Sequence, residues 1–90
     1  MKTMNQMHDL KSYIFRVVVE PDDDRWFAHC PLLEEQGGAT WGETPEEALR
    51  NLQEVLQMVV LSLRENGEEI PKAPAGEVTV LPGPSVAVMV

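Results

Sequence analysis

The chain has 90 residues, enough for one small core, since a domain of this size buries only about 60% of the surface that its unfolded chain exposes. Fifteen acidic residues against seven basic ones give a net charge of −8, and the basic residues are scattered singly, so direct DNA binding is not expected and a basic protein partner is favoured. One cysteine, Cys30, rules out an internal disulfide; with no apolar run of about 18 residues and no apolar signal core at the start, the reading is cytoplasmic, with no membrane span.

Residues 1–11 are polar and Met-rich, without periodicity, and read as a flexible arm ahead of a single domain over residues 12–90. Residues 12–20, SYIFRVVVE, have strand composition, with Tyr13, Phe15, Val17 and Val19 on one face and Ile14, Arg16, Val18 and Glu20 on the other. PDDD then breaks the strand, and RWFAHC returns as the second arm of a hairpin, with Trp26, Ala28 and Cys30 facing one way and Arg25, Phe27 and His29 the other, until Pro31 ends it. LLEEQGG reads as irregular, and Ala39, Thr40 and Trp41 as a short third strand.

GETPEEAL is helix-start chemistry: Thr44 is the N-cap, Pro45 stands where its missing N–H costs nothing, and Glu47 is placed to complete a capping box on the Thr44 N–H. Ala48, Leu49, Leu52, Val55, Leu56, Val59, Val60 and Leu63 follow at spacings of three and four, which predicts one amphipathic helix over residues 45–66 that ends at Asn66 and Gly67. Met58 and Leu61 are left outside that stripe. In the tail, either residues 78–81 or residues 86–90 supply a fourth strand, and the second candidate carries no charge.

Little of this points to catalysis. Asp22, Asp23 and Asp24 fall together in a turn, the ordinary place for solvated Asp. His29 and Cys30 are strand neighbours whose side chains point to opposite faces, so they cannot ligate one metal ion, and a small buried Cys is the simpler reading. The glycines lack phosphate-loop spacing, and Glu43, Glu46 and Glu47 crowd the helix start with negative charge. No catalytic residue, metal or cofactor is expected.

AHCPLLEE at residues 28–35, ATWGETPEEALRNLQEVL at residues 39–56 and NGEEIP at residues 66–71 together resemble the HicB-like antitoxin family, the partners of HicA messenger-RNA-cleaving toxins. The resemblance implies a β-β-β-α-β arrangement likened to a reduced ribonuclease H fold, without a working active site, that masks the toxin. The acidic PLLEEQGG stands where members commonly carry a leucine-proline-glycine-cysteine turn. Only about 20 residues follow the helix, without a second amphipathic pattern, so the DNA-binding segment of complete antitoxins is not expected.

The expected fold is therefore α+β: a small, mainly antiparallel sheet with one long helix on one face. Tyr13, Phe15, Val17, Trp26, Ala28, Leu49, Leu52, Leu56 and Val59 are the expected core. Asp22, Asp23, Asp24, Glu34 and Glu35 are the candidate contacts to a small basic toxin, and Ile14, Val18, Phe27, Met58 and Leu61 the candidate contacts of a homodimer or homotetramer. The competing readings are an RNA-binding or RNA-processing module, which needs clustered basic residues or paired carboxylates, and an oligomeric scaffold without a toxin.

Overall fold

A computed structural model of the chain describes residues 12–71 and 84–89. The apolar alternation that starts at Tyr13 forms two consecutive strands, β1 (Ser12–Arg16) and β2 (Val18–Asp22), instead of one strand over residues 12–20. Their partners explain the break. β1 pairs antiparallel with β5 (Ser85–Met89), which begins opposite Arg16, whereas β2 pairs antiparallel with β3 (Arg25–His29), which ends opposite Val18. Val17 lies between the two ladders, and its N–H donates to the Pro84 carbonyl at 3.1 Å.

Pro21 does not end the strand as the sequence suggested. It sits opposite Trp26 in a strand at the edge of the β2-β3-β4 sheet, where a missing N–H is tolerated. The reversal comes two residues later, at Asp23 and Asp24. Asp23 takes φ 57, a left-handed conformation that short polar side chains accept better than most.

β3 then pairs antiparallel with β4 (Ala39–Gly42). The segment between them is not irregular but a short 3-10 helix, Pro31–Gln36, that begins on a proline suited to a first turn and buries Leu33 completely. Two bonds hold it down: the Cys30 N–H to the Gly38 carbonyl at 2.9 Å, and the Leu33 N–H to the Cys30 carbonyl at 3.0 Å.

Helix α1 (Pro45–Glu65) begins where the sequence placed it, with the Glu47 N–H donating to Thr44 Oγ1 at 3.0 Å. The return bond differs from the expected capping box. Glu47 Oε1 accepts from the Glu43 N–H at 2.7 Å, one residue ahead of the extended Thr44 N-cap. At the far end Gly67 adopts φ 72, and the Gly67 and Glu68 N–H groups bond to the Arg64 and Leu63 carbonyls at 3.1 and 2.8 Å, a paired closure that turns the chain back so that Ile70 is buried.

The result is an α+β fold in which the helix covers one face of antiparallel strands. Phe15, Val17, Ala28, Leu52 and Leu56 are buried as expected, while Tyr13, Trp26, Leu49 and Val59 pack at the margin of the core. Leu33, Ile70, Val86 and Val88 complete it from segments that carry no helical period. Of the two tail candidates, Ser85–Met89 is the strand, and residues 78–81, like the arm over residues 1–11, lie outside the described residues. No helix among the described residues is long and apolar enough to cross a membrane.

Sheet and helix meet most closely at Gly42. A Cβ there would come within 2.7 Å of Ala48 Cα and 2.8 Å of the Glu47 carbonyl carbon, both backbone atoms that cannot swing aside. Gly42→Ala is expected to cost about 1–3 kcal/mol by overpacking, and Thr44→Ala about 1 kcal/mol through the lost cap. Denaturant midpoints measured with an unchanged slope check both.

Candidate functional site

The face of β2, β3 and β4 turned away from the helix is the most elaborated surface of the molecule. Residues directly opposite on paired strands share a face, so the register sets Val18 beside His29, Glu20 beside Phe27, Asp22 beside Arg25, and Phe27 beside Trp41. The outward positions of three strands therefore converge on one aromatic row.

Phe27 stacks on His29 with ring centroids 4.8 Å apart and leans on Trp41 at 5.0 Å, within the usual range for paired rings. The Arg25 guanidinium lies over the Trp41 ring, 4.5 Å from its centroid. Trp41 Nε1 donates to Asp22 Oδ2 at 2.9 Å, and Arg25 Nε approaches the same oxygen at 3.9 Å. At the other end of the row, His29 Nε2 lies 3.5 Å from Glu20 Oε2, and His29 Nδ1 meets Glu34 Oε2 from the 3-10 helix.

This arrangement divides the five candidate acidic residues. Asp22 and Glu34 are bound into the sheet face, Asp22 through Trp41 and Arg25, Glu34 through His29. Asp23 and Asp24 stand exposed at the hairpin tip, and Glu35 is exposed on the 3-10 helix. Sequence reasoning did not single out Arg25, His29, Trp41 or Glu20 as members of one site. The available signal was the two-residue turn at Asp23 and Asp24, which sets the hairpin register and so places Asp22 across from Arg25.

The five candidate oligomer contacts also separate. Val18 and Phe27 lie on the open face of the β2-β3-β4 sheet and Ile14, 67% exposed, on the separate β1-β5 ladder, whereas Met58 (66% exposed) and Leu61 are on the outer side of α1. Met58 borders a shallow groove of about 470 Å³ between α1 and the end of the 3-10 helix, lined by Val55, Val59, Ser62, Gln36 and Gly37 among others. A depression of about 520 Å³ beside Trp41 is bounded by Asp24, Arg25, Gly42, Glu43 and Glu47. Among the described residues, no group of three His, Cys, Asp or Glu side chains is placed to hold a metal ion.

Cys30 is wholly buried behind this face. Burial pushes its thiol up from the ordinary value, against the lowering effect of backbone hydrogen bonds from Leu33 and Leu32. It is a packing residue, not a poised nucleophile.

No protein-family model matches the chain. A UPF0150 protein of Thermoplasma acidophilum is 34% identical to it over 67 residues, a match that spans 73% of this chain and 94% of that protein. The chain belongs to the HicB-like UPF0150 family. The crystal structure of the N-terminal domain of the Burkholderia pseudomallei antitoxin HicB has the same fold, with a TM-score of 0.60 and 26% sequence identity over 87% of this chain and 95% of that one.

Within this HicB-like chain, the stretches that carry the family resemblance are joints of the fold. AHCPLLEE contributes the buried Ala28, Cys30 and Leu33; GETPEEAL contains the Gly42–Ala48 approach and the helix cap; NGEEIP forms the helix closure and buries Ile70. Of the sheet-face residues, His29, Glu34 and Trp41 fall within these stretches, whereas Glu20, Asp22, Arg25 and Phe27 precede them.

The raised Cys30 thiol has a pH consequence of definite sign. Above the ordinary thiol value of 9.0 the unfolded chain releases a proton that the folded chain retains, so this residue's contribution to stability is present below that pH and is lost as pH rises beyond it. Alkylation by iodoacetamide at pH 8 is expected to leave the native thiol largely unmodified and to go to completion in denaturant. Rapid native alkylation counts against the burial described.

Proposed function

We propose that this HicB-like protein is an antitoxin-type binding protein that catalyses no reaction and that holds and masks a small basic HicA-like toxin. The observation that carries the reading is the likeness to the N-terminal domain of an antitoxin, HicB, which extends over 95% of that domain. A net charge of −8 supports it independently, because such a field attracts and steers a basic partner.

The contact surface that suits this role combines the hairpin tip with the 3-10 helix. Asp23, Asp24 and Glu35 offer exposed carboxylates there, flanked by Asp22 and Glu34 on the sheet face. The apolar groups serve a second copy of the chain: Val18 and Phe27 on the open sheet face with Ile14 on the neighbouring β1 strand, and Met58 and Leu61 on the outer side of α1. Two such patches are what a dimer of dimers requires.

The first test is binding to a short basic HicA-like protein, measured by calorimetry at two salt concentrations. Reversing Asp23, Asp24 and Glu35 to Lys is expected to weaken binding at least about tenfold and to flatten its salt dependence. Unchanged affinity after reversal of all five carboxylates removes the acidic surface from the proposal. A nuclease assay of the purified chain with Mg²⁺ or Mn²⁺ is expected to show no turnover above background. Light scattering at micromolar concentration is expected to give a dimer or tetramer mass, and a clean monomer overturns the oligomer assignment.

A further inference from the structure

We propose that the outward face of α1 is a two-fold interface, on which a second copy of this chain lays its own α1 antiparallel, with the two Met58 side chains meeting on the axis. The inference rests on the oligomer reading given above and specifies its register. Asn51, Glu54, Met58, Leu61 and Glu65 recur at spacings of three and four, so they form one stripe of the helix, turned away from the buried Leu52, Leu56, Val60 and Leu63. Met58 is 66% exposed and Leu61 45%, and they interrupt this otherwise polar stripe at its middle. Val55 and Ser62 border it on the side of the groove toward the 3-10 helix.

A two-fold interface is self-complementary: where residue i meets residue j, residue j also meets residue i. For two antiparallel helices each choice of axis therefore fixes every facing pair. With Met58 on the axis, Val55 faces Leu61 of the second copy, Glu54 faces Ser62, and farther out Asn51 faces Glu65. Apolar groups meet apolar groups, and each carboxylate meets a hydroxyl or amide that donates to it. Asn51 Nδ2 gives one N–H to the Trp41 carbonyl at 2.9 Å and has a second to offer. The groove of about 470 Å³ beside Val55 and Met58 leaves room for Leu61 of the second copy. Methionine suits the axis itself, because its unbranched thioether adapts to an identical neighbour.

The neighbouring registers do worse. Facing Met58 with Leu61 sets Glu54 against Glu65 on both sides of the axis and Val55 against Arg64. Placing Leu61 on the axis sets Glu54 against Glu68 and Met58 against Arg64, and facing Met58 with Glu54 lays a carboxylate on the apolar contact. Opposed like charges count against association, so charge selects the same register that apolar contact does.

Crosslinking of the full chain through introduced thiols tests the proposal, since a residue on the axis meets its own copy and the others do not. Met58→Cys is expected to form a disulfide-linked dimer under mild oxidant at least about tenfold faster than Leu61→Cys, because a disulfide needs its Cβ atoms about 4 Å apart. The double variant Val55→Cys with Leu61→Cys is expected to crosslink where neither single variant does, and the unmodified chain, whose Cys30 is wholly buried, is the blank. Light scattering over a dilution series supplies a second readout. Met58→Lys, which opposes two like charges on the axis, is expected to halve the oligomer mass, and Met58→Leu to keep it. Crosslinking of Met58→Cys no faster than that of Leu61→Cys overturns this register, and an oligomer mass that Met58→Lys leaves whole then places the oligomer contact elsewhere. A monomer mass for the unmodified chain, without crosslinking of Met58→Cys, overturns the register and the oligomer reading together.

Discussion

The approach of Gly42 to the first turn of α1 is the constraint on which the rest of this small fold depends. A strand and a helix can come this close only where one side lacks a Cβ, and the opposing backbone of Glu47 and Ala48 leaves room for nothing larger. Once that joint is made, the Thr44 cap sets the helix direction and Asn51 Nδ2 reaches the Trp41 carbonyl at 2.9 Å. Two turns of helix are then registered against β4. Further along, Gln53 Nε2 donates to the Ala87 carbonyl at 3.3 Å, so the same helix also reaches β5. Leu52 and Leu56 are carried over the sheet between these two anchors, which is why a core with so few aromatic residues closes at all.

The open face follows a different logic. With the helix on one side, every outward position of β2, β3 and β4 is left to solvent or to a partner, and the chain fills these positions with rings and charges that satisfy one another. Arg25 covers Trp41 and approaches Asp22, which also accepts from the indole, and His29 stands between two carboxylates. Exposed ion pairs of this kind contribute little to stability. Their effect is on the electrostatic pattern: Asp22 and Glu34 are engaged on the face by Trp41, Arg25 and His29, while Asp23, Asp24 and Glu35 stand exposed at the hairpin tip and the 3-10 helix.

Much of the architecture was legible because it is written in local chemistry. The alternation from Tyr13 to Val19 separates inward from outward residues in a manner that holds across the break at Val17, since a bend between ladders does not change a period of two. Thr44, Pro45 and Gly67 mark the helix ends because capping involves residues only a few positions apart. The errors share a cause. Pro21 reads locally as a strand end, but its missing N–H matters only where a partner strand would use it, and that is a property of the sheet edge. Leu33 gives no signal in the sequence, because a single buried leucine has no period and its burial depends on where α1 lies.

The sequence by itself determined which residues are inward or outward along each strand, where the helix starts and stops, and that the chain carries excess negative charge, because each of these is set by neighbours close in the chain. Only the tertiary structure decided that β1 and β2 serve different partners, that Gly42 is a packing joint, and that Arg25, Trp41, Phe27 and His29 form one row. It also separated Asp22 and Glu34 from the other acidic residues. Those relations join residues far apart in the chain, so they exist only once strand pairing and the helix contact have brought them to bonding distance.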